Sequence, residues 1–210
     1  MSALALDVAA MRHYDPRDEA DVVVVGTGAG GAPVVAELAR AGLRVIAMEA
    51  GPFFDPAEHT PDEIDAAEIN WMDERLSGGA DPTAFGPNNS GRGVGGSTLH
   101  WGAFTPRPTA GQLRLRTETG LGRDWPFDSA ELLPFLLRAE ADLGVSGPRD
   151  YPWDPDRSYR YPPAARNASA QNMATGCRAL GIRTADAPAA VLTAPRLQHG
   201  MPREACIACG

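Results

Sequence analysis

Asp21–Gly51 reads DVVVVGTGAGGAPVVAELARAGLRVIAMEAG, and its pattern decides the fold. One acid is followed by four valines, the short apolar run expected of a strand covered on both faces in a parallel sheet. A glycine-rich turn comes next, Gly26-Thr27-Gly28-Ala29-Gly30-Gly31. Residues 32–41 then place Val34, Val35, Leu38 and Ala39 at the spacing of a buried helix stripe. Gly42 stands where a C-cap glycine ends a helix. Residues 44–49 give a second strand, so the whole stretch is a βαβ unit of about thirty residues.

The turn fits G-x-G-x-x-G. Gly26 permits the tight turn, Gly28 lets the backbone approach a pyrophosphate, and Gly31 lets helix and strand pack closely. The helix N-terminus behind it offers unpaired N–H groups and partial positive charge to phosphates. Glu49 closes the second strand about twenty residues on, where an acid is expected to bind the adenosine ribose hydroxyls and disfavour a 2′-phosphate. The fold class expected is α/β, a Rossmann-like parallel sheet with extra loops and helices, incomplete in this chain. These residues leave FAD and NAD both open, and a glycine-rich turn in some other α/β protein is the bland alternative.

A second glycine stretch runs from Asn88 to Gly102, NNSGRGVGGSTLHWG. Its close-set glycines suit backbone approach to a cofactor, and Ser97 and Thr98 add hydroxyls. With the first motif, it resembles the glucose-methanol-choline oxidoreductases, in which Arg/Lys-x-x-Gly-Gly-Ser-Ser lies along the flavin. Residues 26–51 match that family's first flavin motif and residues 91–108 its second. Trp125-Pro126 and the helix running to Leu143-Gly144 resemble its tryptophan-proline segment. Cys206-Ile207-Ala208-Cys209-Gly210 resembles the start of a cysteine-containing stretch in members like the gluconate, sorbitol and fructose dehydrogenases.

The resemblance implies FAD as cofactor and oxidation of an alcohol, polyol or sugar CH–OH group by hydride transfer to the flavin. It implies Gly26, Gly28, Gly31, Glu49, Arg92, Gly95, Gly96, Ser97, Thr98, His100 and Trp101 as cofactor-binding residues. Trp101 is a departure, because many members carry Asn there. The His100-Trp101 pair resembles the pyranose oxidase branch. There a histidine at this position carries the flavin covalently, through a nitrogen that is nucleophilic and largely neutral near pH 7. Covalent attachment through His100 and simple packing beside the flavin both remain open. No stretch matches the family's catalytic histidine region, so no catalytic residue is assigned. The chain reads as an N-terminal fragment. A non-catalytic FAD or dinucleotide-binding module and a nicotinamide-dependent dehydrogenase are the alternatives. The electron acceptor is open, and a partner subunit is compatible with the resemblance.

The rest of the chain divides into a 1–20 extension, a 21–125 flavin-binding part and a 126–210 helical and irregular segment. Residues 63–76 are expected to be helical, 77–96 a long loop, and 97–103 a short helix. Asp128-Ser129-Ala130-Glu131 has capping-box spacing before a helix carrying Leu132, Leu133, Phe135, Leu136 and Leu143, which Gly144 ends. Residues 147–163 read as irregular, 168–180 as a helix, and 195–210 show no period.

A net charge of −8 disfavours nucleic-acid binding through phosphate neutralisation. No secretory signal is visible in residues 1–20, which points to the cytoplasm and leaves export with a signal-bearing partner open. Three cysteines do not make a disulfide framework. Cys206-x-x-Cys209 could be half of a tetrahedral thiolate or iron–sulfur site, or a redox pair, but plain thiols are favoured, so no metal is assigned. Trp71, Trp125 and Trp153 are expected to be covered. Tyr151, Trp153, Tyr159 and Tyr161 read as loop packing, with a substrate channel as the alternative. The acids at 62, 63, 65 and 68 read as a solvated helix face. His13, His59 and His199 are unassigned.

Overall fold

The computed structural model describes residues 13–55, 69–70, 75–76, 78–85, 90–154, 157–198 and 200–206. The chain forms two compact units, Met1–Trp101 and Gly102–Gly210.

The first unit is built on the expected βαβ. Strand β1 (Val22–Val25) and strand β2 (Val45–Met48) flank helix α1 (Gly31–Arg40) and pair in parallel, with Val22 opposite Val45 and Val25 opposite Met48. β-Branched residues suit the pleated backbone, and the crossover helix is what allows parallel pairing. Asp21 fastens the open end of the sheet, accepting from the Arg44 backbone N–H at 2.7 Å. Helix α1 closes in a Schellman motif. Gly42 at φ +86° donates to Ala39, and Leu43 donates to the carbonyl of Leu38.

The strand is not covered on both faces. Val23 is 52% exposed and Val25 83%, while Val22 and Val24 are half-buried. Among the described residues β1 pairs with β2 alone, so helix α1 covers only one side of a two-stranded sheet. The helix stripe is likewise partial: Val35 and Leu38 are half-buried, and Val34 and Ala39 are exposed.

The expected helix over 63–76 fails at its end. Arg75–Leu76 is strand β3, antiparallel to strand β4 (Ala84–Phe85), inside what reads as a long loop. Gly79 at φ +108° lies in the connection, where a left-handed residue favours a turn over a continuing helix. Most of that expected helix, its acids at 62, 63, 65 and 68, and Trp71 lie outside the described residues.

The second unit contains helices α2 (Ala110–Leu113), α3 (Leu115–Thr119), α4 (Ser129–Leu143) and α5 (Ala168–Ala179). It also has a hairpin of β5 (Arg196–Gln198) and β6 (Met201–Arg203). The Asp128 capping box is present: Asp128 Oδ1 accepts from Ala130 and Glu131, and Glu131 accepts from the Asp128 N–H. Leu132, Leu136 and Glu140 form the half-buried face of α4, one turn apart, while Phe135 and Leu143 are exposed.

The centre of this unit is the buried segment 144–148. Ser146 exchanges backbone hydrogen bonds with Ala189 at 2.8 and 3.0 Å, and Gly147 donates to Tyr161. No helix among the described residues is long and apolar enough to cross a membrane.

Candidate functional site

The first glycine turn is shaped as its pattern requires. Gly26 takes φ +87° and donates its N–H to Met48 at 2.7 Å, joining the turn to the end of β2. A Cβ added at Gly31 would collide with the Gly26 carbonyl, so only glycine lets helix and strand meet there. The N-cap of α1, Gly30, has no side-chain cap; Ala32 donates back to the Gly28 carbonyl at 3.0 Å and Pro33 has no N–H, so in the first turn it is the Gly31 N–H that is left for an anion.

Glu49 lies against this turn. Its Oε2 accepts from the Thr27 backbone N–H at 2.8 Å and from Thr27 Oγ1 at 2.7 Å. Its Oε1 accepts from the N–H of Ala50 at 2.9 Å and of Gly51 at 3.3 Å. Partial burial pushes the carboxyl up, but the donors from Thr27, Ala50 and Gly51 outweigh it and hold the group below its ordinary 4.5. The acid is therefore ionised and oriented at neutral pH. Thr27 escaped the sequence reading because it stands at a variable position of the motif.

The second glycine stretch packs onto the first. A Cβ on Gly96, at φ +56°, would stand 2.9 Å from Gly28 Cα, and a Cβ on Gly51 would stand 2.5 Å from the Arg92–Gly93 peptide. Val94 donates to the Pro52 carbonyl at 2.9 Å, and Arg92 Nε reaches the Ala50 carbonyl at 3.2 Å. Gly91 and Gly93 also admit no side chain: their added Cβ atoms would meet Gly96 and the Phe54 ring. Gly51, Gly91 and Gly93 were thus missed as packing positions, although their glycine identity was the signal.

Gly95 at φ +110° opens a 3₁₀ helix, Gly96–His100, shorter than the expected 97–103. The hydroxyls here are partly spent inside the loop. Thr98 Oγ1 donates to Gly95 at 2.6 Å, while Ser97 Oγ accepts from Gly91 N–H and keeps its own proton to give. His100 Nε2 is enclosed and has no hydrogen-bond partner. Trp101 is exposed. The fold thus gathers Gly26, Gly28, Gly31, Glu49, Arg92, Gly95 and Gly96 at one place, with Ser97, Thr98 and His100 on the adjoining 3₁₀ helix.

A dinucleotide fits this arrangement. Gly28 has ordinary room where a side chain would stand, the helix end has no side-chain cap, an ionised acid is in place, and a buried imidazole nitrogen lacks a partner.

The second unit holds a separate group of charges. Glu140 accepts from Arg107 Nε and Nη2, both at 2.8 Å, and pairs with Arg157 Nη2 at 2.7 Å. The Arg157 side chain is 0% exposed and lies over the Tyr159 ring at 4.5 Å. Burial pushes the Tyr159 phenol up to about 12.

The four aromatics that read as loop packing differ in their surroundings. Tyr159 and Tyr161 face the interior beside Arg157 and Arg160. Tyr151 and Trp153 meet edge to face at 5.4 Å and line a cleft of about 610 Å³ with Trp125. Trp125 is 56% and Trp153 60% exposed, so neither is the covered core residue expected. Cys206 is exposed, and Cys209, His59 and His199 lie outside the described residues. Among the described residues no three metal-ligating side chains converge.

No family model matches the chain. Curated relatives do. The chain is 35% identical over 209 residues to 2-methyl-1,2-propanediol dehydrogenase of Mycolicibacterium austroafricanum, covering 92% of this chain and 36% of that protein. It is 31% identical over 152 residues to the fructose dehydrogenase large subunit of Gluconobacter japonicus, covering 61% of this chain and 28% of the relative. It is 33% identical over 141 residues to an uncharacterized GMC-type oxidoreductase of Sinorhizobium fredii, covering 65% and 27%. The chain thus spans about a third of the length of the curated relatives it matches. With two interlocked glycine stretches, an acid seated on the first, and these relatives sharing its sequence, the chain belongs to the glucose-methanol-choline oxidoreductases.

Proposed function

We propose that this chain is the FAD-binding part of an oxidoreductase acting on the CH–OH group of an alcohol, polyol or sugar. The observation that carries the reading is the fit of the 95–96 glycines against Gly28, beside an ionised Glu49. One glycine turn would serve many nucleotides. The second glycine stretch strapped to it is the part whose pattern resembles the flavin motif of the glucose-methanol-choline oxidoreductases, and it favours a flavin. Dehydrogenase and oxidase names among the relatives support the reaction class.

In this reading the α1 N-terminus and Gly28 receive the pyrophosphate, and Glu49 accepts from the adenosine ribose hydroxyls. Gly95, Gly96 and Ser97 lie along the flavin, with Ser97 supplying the one uncommitted hydroxyl proton of the pair. When bound, the flavin supplies a hydride acceptor for the alcohol carbon. Arg92 braces the approach through its bond to the Ala50 carbonyl. His100 is the attachment point for the flavin, a role supported by a buried Nε2 that no protein group satisfies. A partner subunit is supported by the relative named as a large subunit.

Titration of the full chain with FAD, comparing Glu49→Ala with the unmodified protein, tests the reading. A loss of about 1–3 kcal/mol in binding is expected from removing charge-assisted hydrogen bonds. Equal affinity would remove Glu49 from the cofactor site.

A further inference from the structure

Thr27 occupies a variable position of the glycine motif, yet it makes two contacts to one atom. Its N–H and its hydroxyl both reach Glu49 Oε2, at 2.8 and 2.7 Å. A carboxylate oxygen offers about two lone-pair directions, so Thr27 fills Oε2. On Oε1 the Ala50 N–H is firm at 2.9 Å, whereas the Gly51 N–H is marginal at 3.3 Å. Of the four bonds to the carboxylate the Gly51 N–H is the longest, so its direction on Oε1 is the one an incoming hydroxyl displaces most easily.

The backbone donors are fixed by the turn and by the chain leaving β2. Among the described residues the Thr27 hydroxyl is the only side-chain donor to Glu49, and it spans 22 positions of sequence to reach it. Without it, Oε2 keeps only the Thr27 N–H, and the carboxylate is held less firmly in its orientation. Holding a group in its bound geometry beforehand removes an ordering cost from binding.

We propose that Thr27 is the positioning residue for the acid: its hydroxyl commits Oε2 to the protein and turns Oε1 toward the ribose diol of the dinucleotide. This rests on the FAD reading above. Thr27→Val keeps the side chain's shape and removes the donor, and Thr27→Ser keeps the donor and removes a methyl group.

Apoprotein of the full chain is titrated with FAD and with an analogue whose adenosine carries a 2′,3′-dideoxyribose. The expected result is FAD binding weakened about five- to ten-fold in Thr27→Val and restored to within about two-fold in Thr27→Ser. The analogue is expected to bind the Val variant and the unmodified chain alike. A thermal melt confirms folding, and Thr27→Ala replaces the Val variant if that one unfolds. FAD binding unchanged or tightened in Thr27→Val, no rescue by Ser, or an equal loss with the analogue overturns the role of Thr27 while leaving the FAD reading intact. An unmodified chain that does not bind FAD overturns both.

Discussion

Gly28 and Gly96 meet asymmetrically. A Cβ built on Gly96 would stand 2.9 Å from Gly28 Cα, whereas a Cβ on Gly28 would meet the nearest protein atoms at an ordinary 3.8 Å. The asymmetry separates packing from binding. Gly96→Ala must be accommodated at φ +56° and against backbone that cannot yield, so it should lower stability by about 1–3 kcal/mol. Gly28→Ala should melt as the unmodified chain does, because the protein has room for the methyl group. Its cost should fall on FAD binding, because the proposed pyrophosphate site needs that space. Thermal melts with and without FAD check both substitutions.

Glu49 should make stability depend on acid pH. Burial pushes its carboxyl up, and the bonds from Thr27, Ala50 and Gly51 more than offset this, leaving it below 4.5 in the folded chain. A depressed carboxyl stabilises the fold above its unfolded value and loses that contribution as pH falls through the folded one. Glu49→Gln should therefore melt lower than the unmodified chain at pH 7, and the gap should close as pH is lowered below about 4. Parallel melting curves across that range would contradict the arrangement.

In the second unit, Glu140 serves two arginines. Arg107 grips both its oxygens, and Arg157, fully buried, takes Oε1 at 2.7 Å. Asp154 stands 3.7 Å from Arg107. Removing one partner of a buried pair leaves charge without compensation. Glu140→Gln should cost about 3–5 kcal/mol in urea unfolding. The exposed pair Arg40–Glu37 gives the control: Glu37→Gln should change stability by less than about 0.5 kcal/mol.

If His100 carries the flavin, acid-denatured protein should retain yellow colour, and His100→Ala should release all of it. Flavin that still co-precipitates with the His100→Ala protein would assign the attachment elsewhere.

What was legible in the sequence is what local pattern controls. Strand, turn, helix and strand across residues 21–51 follow from apolar runs and glycine positions, and the Asp128 and Gly144 ends of α4 follow from cap chemistry. Another capping box was equally readable, Thr109 with Gln112 at the start of α2, and it was passed over. The Thr27–Glu49 bonds were not legible, since they exist only once β1 and β2 are in register. Burial was the weakest reading. Val25, Trp125 and Trp153 are apolar enough for a core, but whether they are covered depends on which surfaces meet them, and sequence pattern does not carry that. The β5–β6 hairpin was hidden because its strands are three residues each, too short to show an alternation.

The central claim is that residues 26–51 and 91–101 form a cradle for FAD, and equilibrium titration of the full chain with FAD and, separately, with NAD tests it most directly. The account predicts saturable binding of one FAD per chain, read as quenching of flavin fluorescence, with NAD unable to displace it. Binding of NAD in preference to FAD, or no flavin bound at all, would contradict it.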